Sequence, residues 1–214
     1  MSAKIKNIIV DLGGVVLDID ENIVYKELEK LGIKTSDLAH SKEFMEIMSK
    51  FDTGIYTAPT FRKKTKALLG LEKMTDQRFD AIWNSMLLDI PRERIEAIEK
   101  VKKHYKIFLM SNSNVIHYDL YVRDLQLRFG YHEFDELFNK SYFSFAEHLE
   151  KPDSRFFELI LDHEHLLPEE TLFIDDTAAN IKVAKSLGIN TYHISRDELV
   201  RNLFTNGVLK DGIV

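Results

Sequence analysis

Ile8-Ile9-Val10-Asp11-Leu12-Gly13-Gly14 near the start of the chain has a counterpart far downstream, Leu172-Phe173-Ile174-Asp175-Asp176. A short run of β-branched or aromatic residues bounded by turn residues reads as a buried strand. Both runs end in carboxylates rather than in solvating lysines. Ligands of an open parallel sheet bind at the carboxyl ends of its strands. If these two strands lie side by side, Asp11, Asp175 and Asp176 converge on one point. Three such carboxylates repel one another unless a cation joins them, and hard oxygen ligands suit magnesium (Mg2+). A metal-dependent enzyme is therefore expected.

The surrounding sequence alternates. Strands are predicted over Ile5–Val10, Ile107–Met110, Thr171–Ile174 and Thr191–Ile194. Between them run amphipathic segments: Arg92–Lys103 with Pro91 at its N1 position, Val115–Phe129, Ser154–Leu161, and a helix through Ile181, Ala184 and Leu187 that stops at Gly188. Repeated β-then-α order predicts an α/β fold, a Rossmann-like parallel sheet covered by helices on both faces. Residues from about Asp20 to Asp89 break the alternation and read as helix after helix: Ile23–Leu31, Lys42–Lys50, Thr60–Leu69 and Asp76–Leu88. They predict an inserted helical bundle with Phe44, Met45, Met48, Trp83 and Met86 in its core. Tyr118, Tyr121, Phe134 and Phe138 are expected to be packing residues. The tail from Thr205 carries no readable signal.

Composition narrows the function. The 214 residues are 44% hydrophobic and 30% charged, as in an ordinary globular protein, with a net charge of −6. No basic stripe offsets that charge, which argues against nucleic acid. The cluster Arg62, Lys63, Lys64, Lys66 reads as a solvated helix face. The absence of cysteine excludes disulfides, a thiol nucleophile and a zinc–thiolate site. No signal pattern or apolar stretch of membrane-spanning length is visible, so a cytoplasmic protein with no membrane partner is expected.

Four positions could carry chemistry. Asp11 ends a strand, and the glycines after it let a substrate approach the main chain; a carboxylate there can attack phosphorus, or merely cap a turn. Ser111, followed by Asn112-Ser113-Asn114, can cradle a phosphate with its hydroxyl and backbone N–H groups, or be a plain helix cap. Lys151 stands before Pro152 on a fixed loop and could neutralise charge shared by nucleophile and phosphate; a surface lysine is the plainer reading. Asp175-Asp176, with Asn180 one turn beyond, is the strongest single signal, since paired carboxylates at a sheet end are costly without a partner. His163 and His165 lie about 200° apart on a helix and read as a solvated helix end rather than a metal pair.

Taken together and in order, these motifs resemble the haloacid dehalogenase-like (HAD) hydrolase superfamily from about Ile5 to Ile194. The Asp11-Leu12-Gly13 start, Asp18-Ile19-Asp20 and the run from Leu172 to Ile189 are most similar to its bacterial α-glucose-1-phosphatase-like branch. The resemblance implies a catalytic core over 1–18 and 90–214 and a helical cap over 19–89. It implies a phosphatase of small phosphoesters in which Asp11 forms an aspartyl-phosphate. Ser111 and the Asn112 backbone would hold phosphoryl oxygens, and Lys151 would bridge nucleophile and phosphate. Asp11, the Gly13 carbonyl and Asp176 would bind magnesium, with Asp175 acting directly or through water. The cap stretch Asp52-Thr53-Gly54-Ile55-Tyr56 would close over the leaving group and choose the substrate.

Gly13 departs from the superfamily pattern, which places a second aspartate there to protonate the leaving oxygen and activate water. An anomeric sugar phosphate or another good leaving group, which needs less protonation, is expected, with water or a cap residue supplying the proton. Asp18, Asp20 and His117 are equal candidates to supply it. A catalytically impaired phosphate-binding or regulatory protein, a metal-independent dehalogenase and a purely structural interaction module are the competing functional readings.

Overall fold

In the computed structural model, which describes residues 4–38, 40–195 and 198–213, five strands form one parallel sheet. After β1 (Asn7–Val10) the chain leaves the sheet for α1 (Glu21–Glu29), α2 (Thr35–Leu38), α3 (Lys42–Asp52), α4 (Ala58–Leu68) and α5 (Asp76–Trp83). It returns through α6 (Arg92–Val101) to β2 (Lys106–Ser111), α7 (Val115–Phe129), the short α8 (Phe134–Leu137) and β3 (Lys140–Phe143). Then come α9 (Ser144–Glu147), α10 (Ser154–His163), β4 (Thr171–Asp175), α11 (Ala178–Ser186) and β5 (Asn190–His193). An antiparallel ribbon of β6 (Phe204–Thr205) and β7 (Val208–Leu209) follows.

The strand order is β3-β2-β1-β4-β5, so successive crossovers from β1 run one way and β4 begins the other half. Such a switch of direction opens a crevice at the carboxyl ends of the two central strands. Both faces of the sheet are covered, which explains why the strands read as unbroken apolar runs. Ile8, Val10, Leu109, Leu172 and Ile174 pack against Ile95, Ile98, Tyr121 and Leu125 on one side. Ile9, Phe108, Met110 and Phe173 meet Phe156, Phe157, Ile160 and Ala184 on the other. No helix among the described residues is long and apolar enough to cross a membrane.

The helices between β1 and α6 gather around their own core of Val24, Leu28, Phe44, Ile47, Phe51, Phe61, Phe79 and Trp83. Phe51 and Phe61 stack with ring centres 3.9 Å apart. Asp20, Ser41, Thr57 and Thr75 cap α1, α3, α4 and α5 through their side-chain oxygens. The two connections to the sheet run as an antiparallel pair: Asp18 N–H donates to the Asp89 carbonyl at 2.8 Å, and Leu88 N–H to the Asp18 carbonyl at 2.9 Å.

Several expectations are corrected. Met45 is 56% exposed, because Phe44, Ile47 and Phe51 form the inward stripe of α3 and position 45 lies about 100° away from Phe44. Met48 and Met86 are only partly buried against that core. The helix starting at Asp76 ends at Trp83, followed by a 3₁₀ turn over Asn84–Met86. Pro91 is the N-cap of α6, one position earlier than expected. Arg62 and Lys66 are not solvated: they pair with Asp80 and Asp76 at 2.7 and 2.6 Å, tying α4 to α5.

Candidate active site

Register brings the acidic residues together. Val10 pairs with Ile174 across β1 and β4, and Asp11 N–H donates to the Ile174 carbonyl at 3.0 Å. Asp11 and Asp175 therefore leave adjacent strands side by side, and Asp176 follows. Oxygens from all three carboxylates lie within 4.8 Å of one another. Val10 also pairs with Leu109, which sets Ser111, buried at the end of β2, on the opposite flank of Asp11.

The buried Lys151 ammonium joins this cluster. Its Nζ lies 2.7 Å from Asp11 Oδ1 and 2.8 Å from Asp175 Oδ2. Burial alone would lower the lysine pKa, but the two carboxylates outweigh it and raise the value, so the ammonium stays charged. Burial pushes Asp11 up to about 7; Lys151 opposes this and the Asp175 charge adds to it. A cation among the three carboxylates would push Asp11 back down. Asp11 Oδ1 also accepts the Leu12 N–H at 2.7 Å, so its hydrogen bonds collect on one oxygen.

Asp175 is fully buried and occupied on both oxygens. Oδ1 accepts the Thr177 N–H at 2.7 Å, the Asn180 amide donates to both oxygens at 3.1 and 3.0 Å, and Lys151 takes Oδ2. Protein donors thus reach both oxygens of Asp175. Asp176 lies against Gly14, where a Cβ would sit 2.5 Å from Asp176 Oδ2 and where φ is +74°. Only glycine fits that position. The donor set is all-oxygen and acidic, which fits a hard divalent cation.

Asn112 has a role that sequence reading missed. Its side chain clasps the Lys151 backbone from both sides: Nδ2 donates to the Lys151 carbonyl and Oδ1 accepts the Lys151 N–H, each at 2.8 Å. The loop after β2 thus fixes the loop that carries the lysine.

The three proposed proton donors are engaged elsewhere. Asp18 pairs with the buried Arg94 at 2.6 Å, and Asp20 caps α1. His117 is buried against Trp83 with Nδ1 2.8 Å from Asn84 Oδ1, and burial pulls its pKa to about 4, leaving it uncharged near neutrality. A Cβ at Gly13 would lie 3.0 Å from Ile19 Cδ1, so an apolar side chain fills the space beside the missing group. His163 and His165 are exposed at the end of α10, outside the acidic cluster.

Comparison with known proteins agrees with this geometry. A family model for haloacid dehalogenase-like hydrolases matches residues 5–188. D-ribitol-5-phosphate phosphatase of Bacteroides thetaiotaomicron is 29% identical over 189 residues, covering 88% of this chain and 91% of that protein. A HAD family enzyme of the same bacterium, solved with magnesium and inorganic phosphate, is 30% identical with a TM-score of 0.85, covering 94% of this chain and 100% of that one. L-2-haloacid dehalogenase from Xanthobacter autotrophicus, at 18% identity and a TM-score of 0.56 over 87% of this chain and 76% of that one, shares the fold alone.

Proposed function

Because the chain belongs to the haloacid dehalogenase-like hydrolase family, we propose that it is a magnesium-dependent phosphatase of small sugar or sugar-alcohol phosphates. The observation that carries this reading is the buried Lys151, which bridges Asp11 and Asp175 while Asp176 stands within reach of both. Nucleophile, fixed cation and metal-binding carboxylate are then the parts of one cluster, and phosphoryl transfer asks for little beyond positioning and charge neutralisation. Residues 1–18 and 90–214 form the catalytic core in this reading, and 19–89 the cap.

Asp11 Oδ1 is held by Leu12 N–H and Lys151, which leaves Oδ2 as the attacking atom. Attack on phosphorus forms an aspartyl-phosphate and breaks the bond to the substrate oxygen, which departs as the alcohol after taking a proton. Water then attacks phosphorus, the Asp11 Oδ2–phosphorus bond of the acyl phosphate breaks, and inorganic phosphate and a proton are released. Ser111 and the Asn112 backbone N–H hold phosphoryl oxygens, while Lys151 neutralises charge shared by nucleophile and phosphoryl group. Asp11, Asp176 and the Gly13 carbonyl would hold the magnesium ion, which supplies positive charge to the phosphoryl oxygens when bound. Asp175 orients Lys151. With Asp18, Asp20 and His117 engaged elsewhere and Ile19 beside Gly13, the leaving-group proton comes from water.

The leaving-group argument favours anomeric phosphates. The Bacteroides relative, by contrast, is named for a sugar-alcohol 5-phosphate, whose leaving oxygen is a primary alcohol. Both belong in the test: phosphate release from hexose 1-phosphates, hexose 6-phosphates, pentitol phosphates and nucleotides, with magnesium and with chelator. Magnesium-dependent release from a sugar or polyol phosphate is expected, with Asp11→Asn at least about 10³-fold slower. Phosphate binding without turnover on any ester would replace this reading with a phosphate-binding protein.

A further inference from the structure

The carboxyl end of α3 is pressed onto the core. Asp52 Oδ1 accepts the Asn114 amide at 3.0 Å, and the Asp52 carbonyl accepts the Ser144 hydroxyl at 2.5 Å. Ser144 Oγ in turn accepts the Ser113 N–H at 2.9 Å. His148, whose own φ of +58° is uncommon for a non-glycine residue, has its Nδ1 2.8 Å from the Thr53 carbonyl. Gly54 approaches so closely that a Cβ there would lie 2.1 Å from the Phe145 carbonyl oxygen. One turn earlier, the Ser49 hydroxyl donates to Glu150 Oε1 at 2.6 Å, beside Lys151.

These contacts fall on two core loops. Ser113 and Asn114 continue the loop that carries Ser111 and Asn112, and Glu150 precedes Lys151. The same two loops are clasped to each other by the Asn112 side chain. We propose that Asp52 is a positioning residue: through Asn114 and Ser144, with Ser49 acting on Glu150, it sets where the phosphoryl-binding loop and the Lys151 loop stand. The inference rests on the phosphatase reading of those loops. It reassigns Asp52-Thr53-Gly54 from substrate choice to alignment, and leaves choice to other parts of the cap.

The Asp52–Asn114 hydrogen bond can be reversed, which gives a clean test. Asp52→Asn keeps an acceptor for Asn114 and should retain activity. Assayed at a pH well above 7, where Asp52 is ionised, Asn114→Asp keeps the cap of α7 but sets two carboxylates against each other. It should lower kcat by about 10- to 100-fold, the scale of a misaligned site, and weaken inhibition by inorganic phosphate. The double exchange Asp52→Asn with Asn114→Asp restores a donor and an acceptor and should recover both. Hydrogen exchange of segments 110–115 and 148–152 in the magnesium-loaded protein supplies a readout independent of turnover: faster exchange is expected in Asp52→Ala and Asn114→Asp, and wild-type rates in the double exchange. Wild-type exchange and phosphate affinity in Asp52→Ala, or no recovery in the double exchange, would overturn the proposal. A wild-type protein without phosphatase activity but with exchange that follows the pattern would instead reject the functional reading and keep the alignment.

Discussion

At the scale of single residues, Asp11, Asp175 and Lys151 hold one another, and the Leu12 and Thr177 N–H groups and the Asn180 amide complete the set. Asp175 is buried and satisfied because Thr177 N–H, Asn180 and Lys151 all donate to it. Asn180→Ala removes two of those hydrogen bonds while leaving Asp11 and Asp176 in place. We expect kcat to fall by about tenfold with the magnesium concentration for half-activation unchanged, checked by metal titration of initial rates. The convergence of Asp11, Asp175 and Asp176 was legible in the sequence because each ends or follows a strand signal. The clasp of Asn112 on Lys151 was not. It joins two loops 39 residues apart, and no local pattern encodes a contact of that span. The contact of Asp52 with Asn114 was not legible for the same reason: the two are 62 positions apart.

Among the elements, α7 ends where its Phe129-Gly130 signal places it, with Gly130 at φ +81°. The edge strand β3 was missed because Lys140-Ser141-Tyr142-Phe143 buries only its last two residues and lacks a continuous apolar run. The β6–β7 ribbon carries a two-residue Asn206-Gly207 turn, both residues at positive φ, a signal present in the sequence but not read. The end of α3 depends on a glycine by contact rather than by propensity. Gly54→Ala sets a methyl group into the Phe145 carbonyl at a φ of +69°. A cost of about 2 kcal/mol is expected, visible as a thermal midpoint lower by about 5 °C. Gly70→Ala, also at positive φ but with open space around the added carbon, should cost less than half as much.

The whole molecule couples its helical insertion to the sheet through buried groups that titrate. His117, on α7, faces Trp83 and Asn84 of the insertion and is pulled from 6.5 down to about 4 by burial. The unfolded chain therefore binds a proton on this group between pH 6.5 and 4 that the folded chain refuses, and His117 costs stability as pH falls through that window. Asp11 and Asp52, pushed up to about 7 by burial, act in the opposite sense, since the folded chain takes their protons first. Comparing the urea stability of wild type and His117→Asn from pH 7 to 5 separates the two. The variant should lack a downward slope of roughly 1 kcal/mol per pH unit below pH 6. The parallel sheet apart from β3 and the helical insertion were readable because hydrophobic periodicity is local; the seam between insertion and sheet was not, because its contacts, such as Ile116 in the insertion's core and Trp83 stacked on His117, join residues far apart in the chain.

The fit of Ile19 beside Gly13 bears on how the site could be rebuilt. A Cβ at position 13 would press 3.0 Å from the Ile19 Cδ1 methyl, the far end of a flexible side chain. An acid–base aspartate there therefore asks one methyl group to move by a few tenths of an ångström, not the backbone to change. The route back to a two-aspartate arrangement runs through the rotamer of Ile19.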